Sequence, residues 1–457
     1  MRGNGVDTPW SAAAGIVWPA LPGPRDLPLF ALAYQLEQSQ WWPAEVLRAR
    51  QLRQVEPLLR HAARQVPFYR SRLAAVAEVS PGGLTPERWR ALAPLRRADL
   101  QEARESLLAR ALPRGHGRRV EHTTSGSTGR PIRVASTTLA QQYRRVLRLR
   151  GNVWHRRDLA GRLAAIQRVT PALARVQAAD GDASWAAGYR TGPYWIRDIG
   201  GPLDDHLDWL AEKNPDYLLT YATFARALAE RAAERGLRLS RLREVNTMGE
   251  VLDAGVREVC RRAWDAPVVD QYAAQETGPV ALQCPEHEHY HVMAESVLLE
   301  VLDDAGEPCP PGRIGRVVIT ALHNFAMPLI RYEIGDYAEL GDPCPCGRGL
   351  PVLTRIMGRA RNMVTLPSGE RTWARISGEP LTRIAPLRRM QMVQRRRDEI
   401  ELHLVTTRPL DAAEEGALRA AATAALGHPF ALRLVYVDDI ALSAGGKFED
   451  FRSEIGG

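Results

Sequence analysis

Little in this 457-residue chain suits a membrane, a secreted scaffold or a nucleic-acid duplex. No window approaches the roughly 18 uninterrupted apolar residues of a bilayer span, so nothing should cross a membrane. The five cysteines are an odd number without a paired framework, which argues against a disulfide-stapled fold. The stretch Met1 to Trp10 lacks a basic head followed by an apolar run, so no secretory signal is expected and the cytoplasm is the expected compartment. Lysine is rare, and the net charge of +8 comes from scattered arginines. Their densest cluster, Arg395 to Arg397, lacks the interleaved aromatics that nucleic-acid binding would want, and reads as a solvated face. Surplus positive charge would still help to attract phosphorylated ligands.

What is present is the composition of an ordinary globular protein, 45% hydrophobic and 25% charged, with length for about three domains by a prior of about 150 residues each. Residues 27 to 112 read as helical, with Leu58, Leu59, Ala62, Ala63 and Val66 on one face and Pro67 and Pro81 as breaks. Apolar runs such as Tyr217 to Tyr221 then alternate with helical patterns, which implies a mainly parallel sheet with ligand sites beyond its strand ends. From about Ser296 the pattern becomes alternating runs around the turn Asp304-Ala305-Gly306, as in antiparallel strands. A last unit of about 100 residues restarts near Gly358 to Arg361 as strand, helix from about Leu410 to Leu426, and strand. The expected fold is therefore α/β, a large domain of mixed sheets and helices followed by a small α+β domain. Its segments are 1–115 (helical), 116–357 (core) and 358–457 (small domain).

One stretch consists only of hydroxyl residues and glycines, Thr123 to Gly129, followed by Arg130 and Pro131. Composition alone allows a flexible linker or an anion cradle of backbone N–H groups and hydroxyls. The common phosphate loop is excluded, because it needs Lys and then Ser or Thr after the second glycine.

Short elements follow in one order: TTSGSTGRP, YAT, MGE, YAAQETG, PLIRYEIGD, GRARNM and SAGGKFEDF. This succession resembles the adenylate-forming superfamily of acyl-CoA synthetases, specifically the phenylacetate-CoA ligase family. Taken singly, Asp336 reads as a turn residue, Glu276 as an exposed carboxylate or helix cap, and Lys447 as a surface lysine. The ordered set reverses that weighting. The resemblance implies that Ser125, Gly126, Ser127, Thr128 and Gly129 wrap the β and γ phosphates of ATP, and that Glu276, joined by Thr128, binds Mg2+ as a hard oxygen ligand. It leaves the phosphates as the alternative to Thr128 beside that Mg2+, and implies that Tyr272 packs on adenine, that Gly249 and Glu250 line the nucleotide pocket, and that Asp336 accepts from both ribose hydroxyls. Arg331 and Arg359 would be positive forks near phosphate or the domain junction, and Lys447 would stabilise charge on the α-phosphate from the small domain. The hinge would lie at Arg361, where Arg361-Asn362 replaces the frequent acidic pair. Arg130 and Arg133 are the cations where many members have a lysine.

The activity so implied is ATP-dependent conversion of a small carboxylic acid, aromatic or arylacetic, to an acyl-adenylate and then a coenzyme A thioester. A carrier protein or an amine as acceptor, and a non-catalytic zinc-stabilised nucleotide-binding protein, remain the alternatives; a homodimer stays open. Trp185, Tyr189, Tyr194, Trp195, Tyr221 and Phe224 are candidate walls for the acid. Cys284, Cys344 and Cys346 with one histidine match a closed structural Zn2+ site. Similar branches of the family point to His291 as the fourth ligand, with His287 and His289 as rivals.

Overall fold

The structure, a computed structural model, describes residues 9–16, 18–74, 82–123, 132–373, 384–440 and 448–455. Helices α1 (Leu27–Ser39) and α2 (Ala44–Gln65) come first, and α2 stops ahead of Pro67, as the steric restriction before proline dictates. Its buried face carries Leu58, Leu59 and Ala62, with Val66 just beyond, while Ala63 is only half-buried. A hairpin of β1 (Arg119–Thr123) and β2 (Arg133–Thr137) leads into α3 (Thr138–Trp154). The Thr137 hydroxyl accepts from the Ala140 N–H at 3.0 Å and caps that helix.

The main sheet changes character at one strand. β3 (Leu163–Gln167), β4 (Tyr194–Asp198), β5 (Tyr217–Thr220), β6 (Glu244–Met248) and β7 (Val268–Ala274) pair in parallel. Their crossovers hold α4 (Leu203–Lys213), α5 (Ala222–Glu234) and α6 (Ala254–Trp264). From β7 onward the pairing is antiparallel, through β8 (Gly278–Gln283), β9 (Tyr290–Val292), β10 (Val297–Leu302), β11 (Ile314–Ala321), β12 (Tyr332–Leu340) and β13 (Val352–Arg359). Among the described residues the order is β10-β11-β12-β13-β9-β8-β7-β6-β5-β3-β4. One hydrophobic core joins the α2 face to the antiparallel half, and a second joins α5 and α6 to the parallel half.

Past β13, β14 (Met363–Thr365) pairs with β15 (Arg371–Trp373). A separate four-stranded sheet then orders β16 (Leu387–Gln394), β17 (Glu399–Thr406), β18 (Ala431–Tyr436) and β19 (Phe451–Ser453) as β18-β17-β16-β19. Helix α7 (Ala412–Leu426) packs on this sheet in a core of its own, and Asp411 and Glu414 cap it reciprocally. The architecture is thus a large α/β part and a small α+β part, as the sequence predicts.

Arg331 departs from the expectation of a phosphate or junction fork. It sits just before β12 with φ of +48°, and its side chain is buried. There its Nε lies 3.2 Å from Glu300 Oε2, and its Nη1 donates to the Arg90 carbonyl at 2.7 Å and the Leu92 carbonyl at 2.5 Å. Its backbone carbonyl accepts from the Leu95 N–H at 2.9 Å. Arg331 therefore ties the helical N-terminal part to the sheet. Arg331→Met leaves a buried carboxylate and two carbonyls without this donor, and should lower unfolding free energy by about 3–5 kcal/mol in denaturant titration.

Candidate functional site

The parallel strands end side by side, and the turns that follow them hold most of the predicted residues. After β6 the chain turns at Gly249, whose φ of +75° suits glycine, and presents Glu250. Glu250 Oε2 accepts from the Thr223 N–H at 2.9 Å and its hydroxyl at 2.8 Å, at the start of α5. Its other oxygen accepts from the Phe448 N–H at 2.9 Å. The turn after β6 is therefore bonded to the small domain, at the residue that follows Lys447 in sequence. Two residues on, Asp450 is pushed up to about 6 by burial, eased by Arg226 and aggravated by Asp253. Arg226 in turn donates to both Asp253 oxygens at 2.6 Å.

After β7 the chain reverses through Gln275, Glu276 and Thr277 into β8. The Gln275 and Glu276 carbonyls of this reversal lie outside the ladder, and at the buried Glu276 a donor is needed. Arg144 of α3 donates to both, to Gln275 at 3.1 Å and Glu276 at 2.8 Å. Burial lowers the Arg144 pKa to about 10, helped by the nearby Arg148 charge and opposed by Glu276. Among the described residues the buried Glu276 carboxylate accepts no hydrogen bond, which leaves its hard oxygens available to a cation.

Tyr272 lies on β7, and its hydroxyl donates to Asp336 Oδ2 at 2.7 Å. Arg359 faces Asp336 across the β12–β13 register, with its Nε 3.4 Å from Oδ1. Burial first, then the Asp336 and Glu276 charges, hold the Tyr272 hydroxyl well above its ordinary pKa, so it stays a donor. Structure thus brings Gly249, Glu250, Tyr272, Glu276, Asp336 and Arg359 to the place where the sheet switches from parallel to antiparallel. Ser125 to Gly129, Arg130 and Lys447 lie outside the described residues. Of the six aromatic candidates, Tyr221 stands at the strand ends, where its hydroxyl meets the Arg168 N–H at 3.4 Å. Phe224 packs instead on His206, Tyr189 on Phe30 and Trp185 on Tyr217, while Trp195 lies under Lys213. Tyr194 is half-buried beside the Arg148 charge.

A second cluster sits behind the antiparallel strands. Cys284, His289, His291 and Cys344 hold their ligand atoms within 4.8 Å of one another. His289 Nε2 is 2.9 Å from Cys344 Sγ, and His291 Nε2 is 3.3 Å from Cys346 Sγ. Both histidines thus face the thiols, where the sequence prefers His291 with His287 and His289 as rivals. Burial pushes Cys344 up to about 12 and Cys284 upward. Burial also raises Cys346, but hydrogen bonds from the Arg348 backbone, Cys344 and the Arg348 side chain outweigh it and leave that thiol below its usual value. Two or three thiols and one or two imidazoles in a closed pocket are the donor set a tetrahedral d10 cation takes. The sequence reading missed Arg348 and Tyr290. Arg348 lies between Trp41 at 4.7 Å and Trp154 at 4.8 Å and bonds Gln40, which fixes the Cys-x-Cys loop. Tyr290, between the two histidines, donates to the buried Asp270 of β7 at 2.8 Å. Arg144 was also missed; an arginine in an arginine-rich helix carries no signal of its own.

Comparison with known proteins agrees with this arrangement. No protein-family profile matches the chain. Three curated phenylacetate-coenzyme A ligases align with it at 25–27% identity. That of Thermus thermophilus is 27% identical over 344 residues, 71% of this chain and 73% of the relative. Among solved structures, a 2-hydroxyisobutyryl-CoA ligase in its postadenylation state superposes with a TM-score of 0.71 at 21% identity, over 92% of each chain. The same ligase in its thioesterification state, with 2-HIB-AMP and CoA, gives 0.59 at 22% identity over 91% of each. The fold is that of an adenylate-forming CoA ligase, with a large domain and a small C-terminal one.

Gly278, the first residue of β8, has a φ of +88°, and a Cβ there would lie 2.6 Å from Arg144 Cγ. Gly278→Ala should displace Arg144 and loosen the Glu276 turn, costing about 1–3 kcal/mol in thermal or denaturant unfolding. An unchanged midpoint would remove Arg144 as the anchor of this turn.

Proposed function

We propose that the chain is an AMP-forming acid–CoA ligase acting on an aromatic or arylacetic acid. A carboxylate oxygen of the acid attacks the α-phosphorus of ATP and pyrophosphate leaves; the coenzyme A sulfur then attacks the acyl carbonyl and AMP leaves with the electron pair. The observation that carries this reading is the convergence of Tyr272, Glu276 and Asp336 on one strand-end site. It is supported by alignment with phenylacetate-coenzyme A ligases over most of the chain.

In this reading Asp336 orients the ribose, Tyr272 gives the adenine a flat wall, and Glu250 with Gly249 bounds the nucleotide. Glu276 would hold Mg2+ with Thr128. That cation, when bound, supplies neutralisation of charge on the phosphates. Ser125 to Gly129 would cradle the leaving pyrophosphate, and Lys447 would face the α-phosphate. Because Phe448 is bonded to Glu250, the sequence neighbour of Lys447 is already at the nucleotide wall, which suits the adenylation step. Arg361 would be the hinge between the two half-reactions.

Pyrophosphate release with magnesium ATP and a panel of acids tests the activity, and the absence of acid-dependent release sinks it. With adenylation established, addition of coenzyme A should give a thioester by mass spectrometry; none would assign the acyl group to a carrier protein or an amine. Asp336→Asn should raise the ATP KM about tenfold or more, and Glu276→Gln should lower kcat by about a hundredfold.

The Cys/His cluster would hold a structural Zn2+ through Cys284, Cys344 and His291, with His289 and Cys346 adjacent as the remaining candidates. Purified protein should contain about one zinc per chain, and Cys344→Ser should lose it together with several degrees of Tm. Metal analysis of His289→Ala and Cys346→Ser separates the ligand sets.

A further inference from the structure

A cavity of about 640 Å³ lies between α2, residues 111–116, the start of α3 and the turn at His323–Phe325. Its size is that of a small-molecule site, for which about 300–1,000 Å³ is usual. None of its lining residues is acidic. Arg60 and Arg64 stand one helical turn apart on its α2 wall. Arg60 lies 4.0 Å from Glu56, and Arg64 has no ion pair among the described residues. The inner walls are flat rings: Tyr143 stacks on His323 at 3.6 Å and 9°, and His116 meets Phe325 edge-on at 4.5 Å. The Nδ1 atoms of His116 and His323 are buried without a hydrogen-bond partner among the described residues. Unmet polar atoms of that kind call for a ligand or water. Burial holds His323 down at about 3 and lowers His116 and His61, so the charge of this cavity is carried by the two arginines.

Tyr143 and His323 also form a wall of a second, smaller hollow, which Arg144, Glu276 and Thr277 line. The residue after Tyr143 is the arginine that holds the Glu276 turn. We propose that this cavity is a second, non-catalytic site for an aromatic carboxylate, held by Arg60 and Arg64 at its charged end and by the Tyr143–His323 and Phe325 rings at its planar end. Occupancy bears on the Tyr143 side of α3 and so on the Arg144–Glu276 contacts. The choice of an aromatic acid rests on the proposed ligase reading; the site itself does not.

The test is calorimetric titration of phenylacetate into the full chain whose catalytic site is saturated with phenylacetyl-sulfamoyl-adenosine, a stable stand-in for the acyl-adenylate. One further equivalent of phenylacetate should bind. The double variant Arg60→Ala/Arg64→Ala should weaken it at least about tenfold, with the affinity for the adenylate analogue unchanged. Ala111→Trp, which fills the cavity mouth without removing a charge, should also abolish it. No binding to the saturated wild type, equal binding in the double variant, or capture of inorganic pyrophosphate in place of phenylacetate would overturn the proposal. If the analogue itself does not bind, the ligase reading fails instead, and the same titration of the free chain, with and without the two arginines, still decides the cavity.

Discussion

The reversal between β7 and β8 is the constraint from which the rest of the site follows. A sheet that changes from parallel to antiparallel pairing must turn through residues that the ladder cannot satisfy, and here Glu276 and Thr277 of that turn are buried. Arg144 meets the need with one guanidinium across two adjacent carbonyls, at 3.1 and 2.8 Å. Its planar fork is suited to that task as a lysine would not be. Fixing the backbone of Gln275 and Glu276 frees the Glu276 carboxylate from structural duty. It also fixes the β7 end, from which Tyr272 reaches Asp336 on the far side of the antiparallel half.

Separate devices hold the neighbouring strands to the rest of the molecule. Glu250 joins the start of α5 to the small domain. On the other face, Asp270 of β7 accepts from Thr247 of β6 at 2.6 Å and from Tyr290 at 2.8 Å, between the two cluster histidines. The Cys/His cluster is thereby connected to the strand that carries Tyr272, two residues further on. Arg348, held between two tryptophans, anchors the cluster loop to α3 and to the end of α1. An ion at that cluster would stiffen the back of β7, the strand that carries Tyr272, without reaching the candidate site.

Sequence made the layered organisation legible because its periods are clear, from helical spacing on α2 to alternation in β10 and β11. It also made Tyr272, Glu276 and Asp336 legible, since each sits in a short element whose order along the chain is distinctive. Arg331 departs from its expectation because its neighbours in PLIRYEIGD lie in the candidate site, while its own partners Glu300, Arg90 and Leu92 are distant in sequence. The six aromatics are candidate walls by residue type alone, and sequence does not show the ring contacts that Tyr189, Trp185 and Phe224 make with Phe30, Tyr217 and His206. Arg144 and Arg348 act through partners more than a hundred residues away, and local pattern carries no trace of such pairs. One compositional signal was stronger than it looked: of 61 basic residues only Lys213 and Lys447 are lysines, so a lysine retained in GGKFEDF is itself unusual.

The bond from the Phe448 N–H to Glu250 concerns affinity as much as architecture. A ligand that must wait for a tethered domain to find its place binds more weakly by the fraction of time the domain spends there. A single hydrogen bond to a carboxylate contributes a net of about 1.5–3 kcal/mol, which shifts such a balance by a factor of roughly ten to a hundred and fifty. That is enough to favour one arrangement and too little to hold it. For the ligase proposed above, this bias would favour the first substrate and leave the second within reach of thermal motion, so that a replacement at Glu250 would tilt the order in which substrates are accepted before it altered any chemical step.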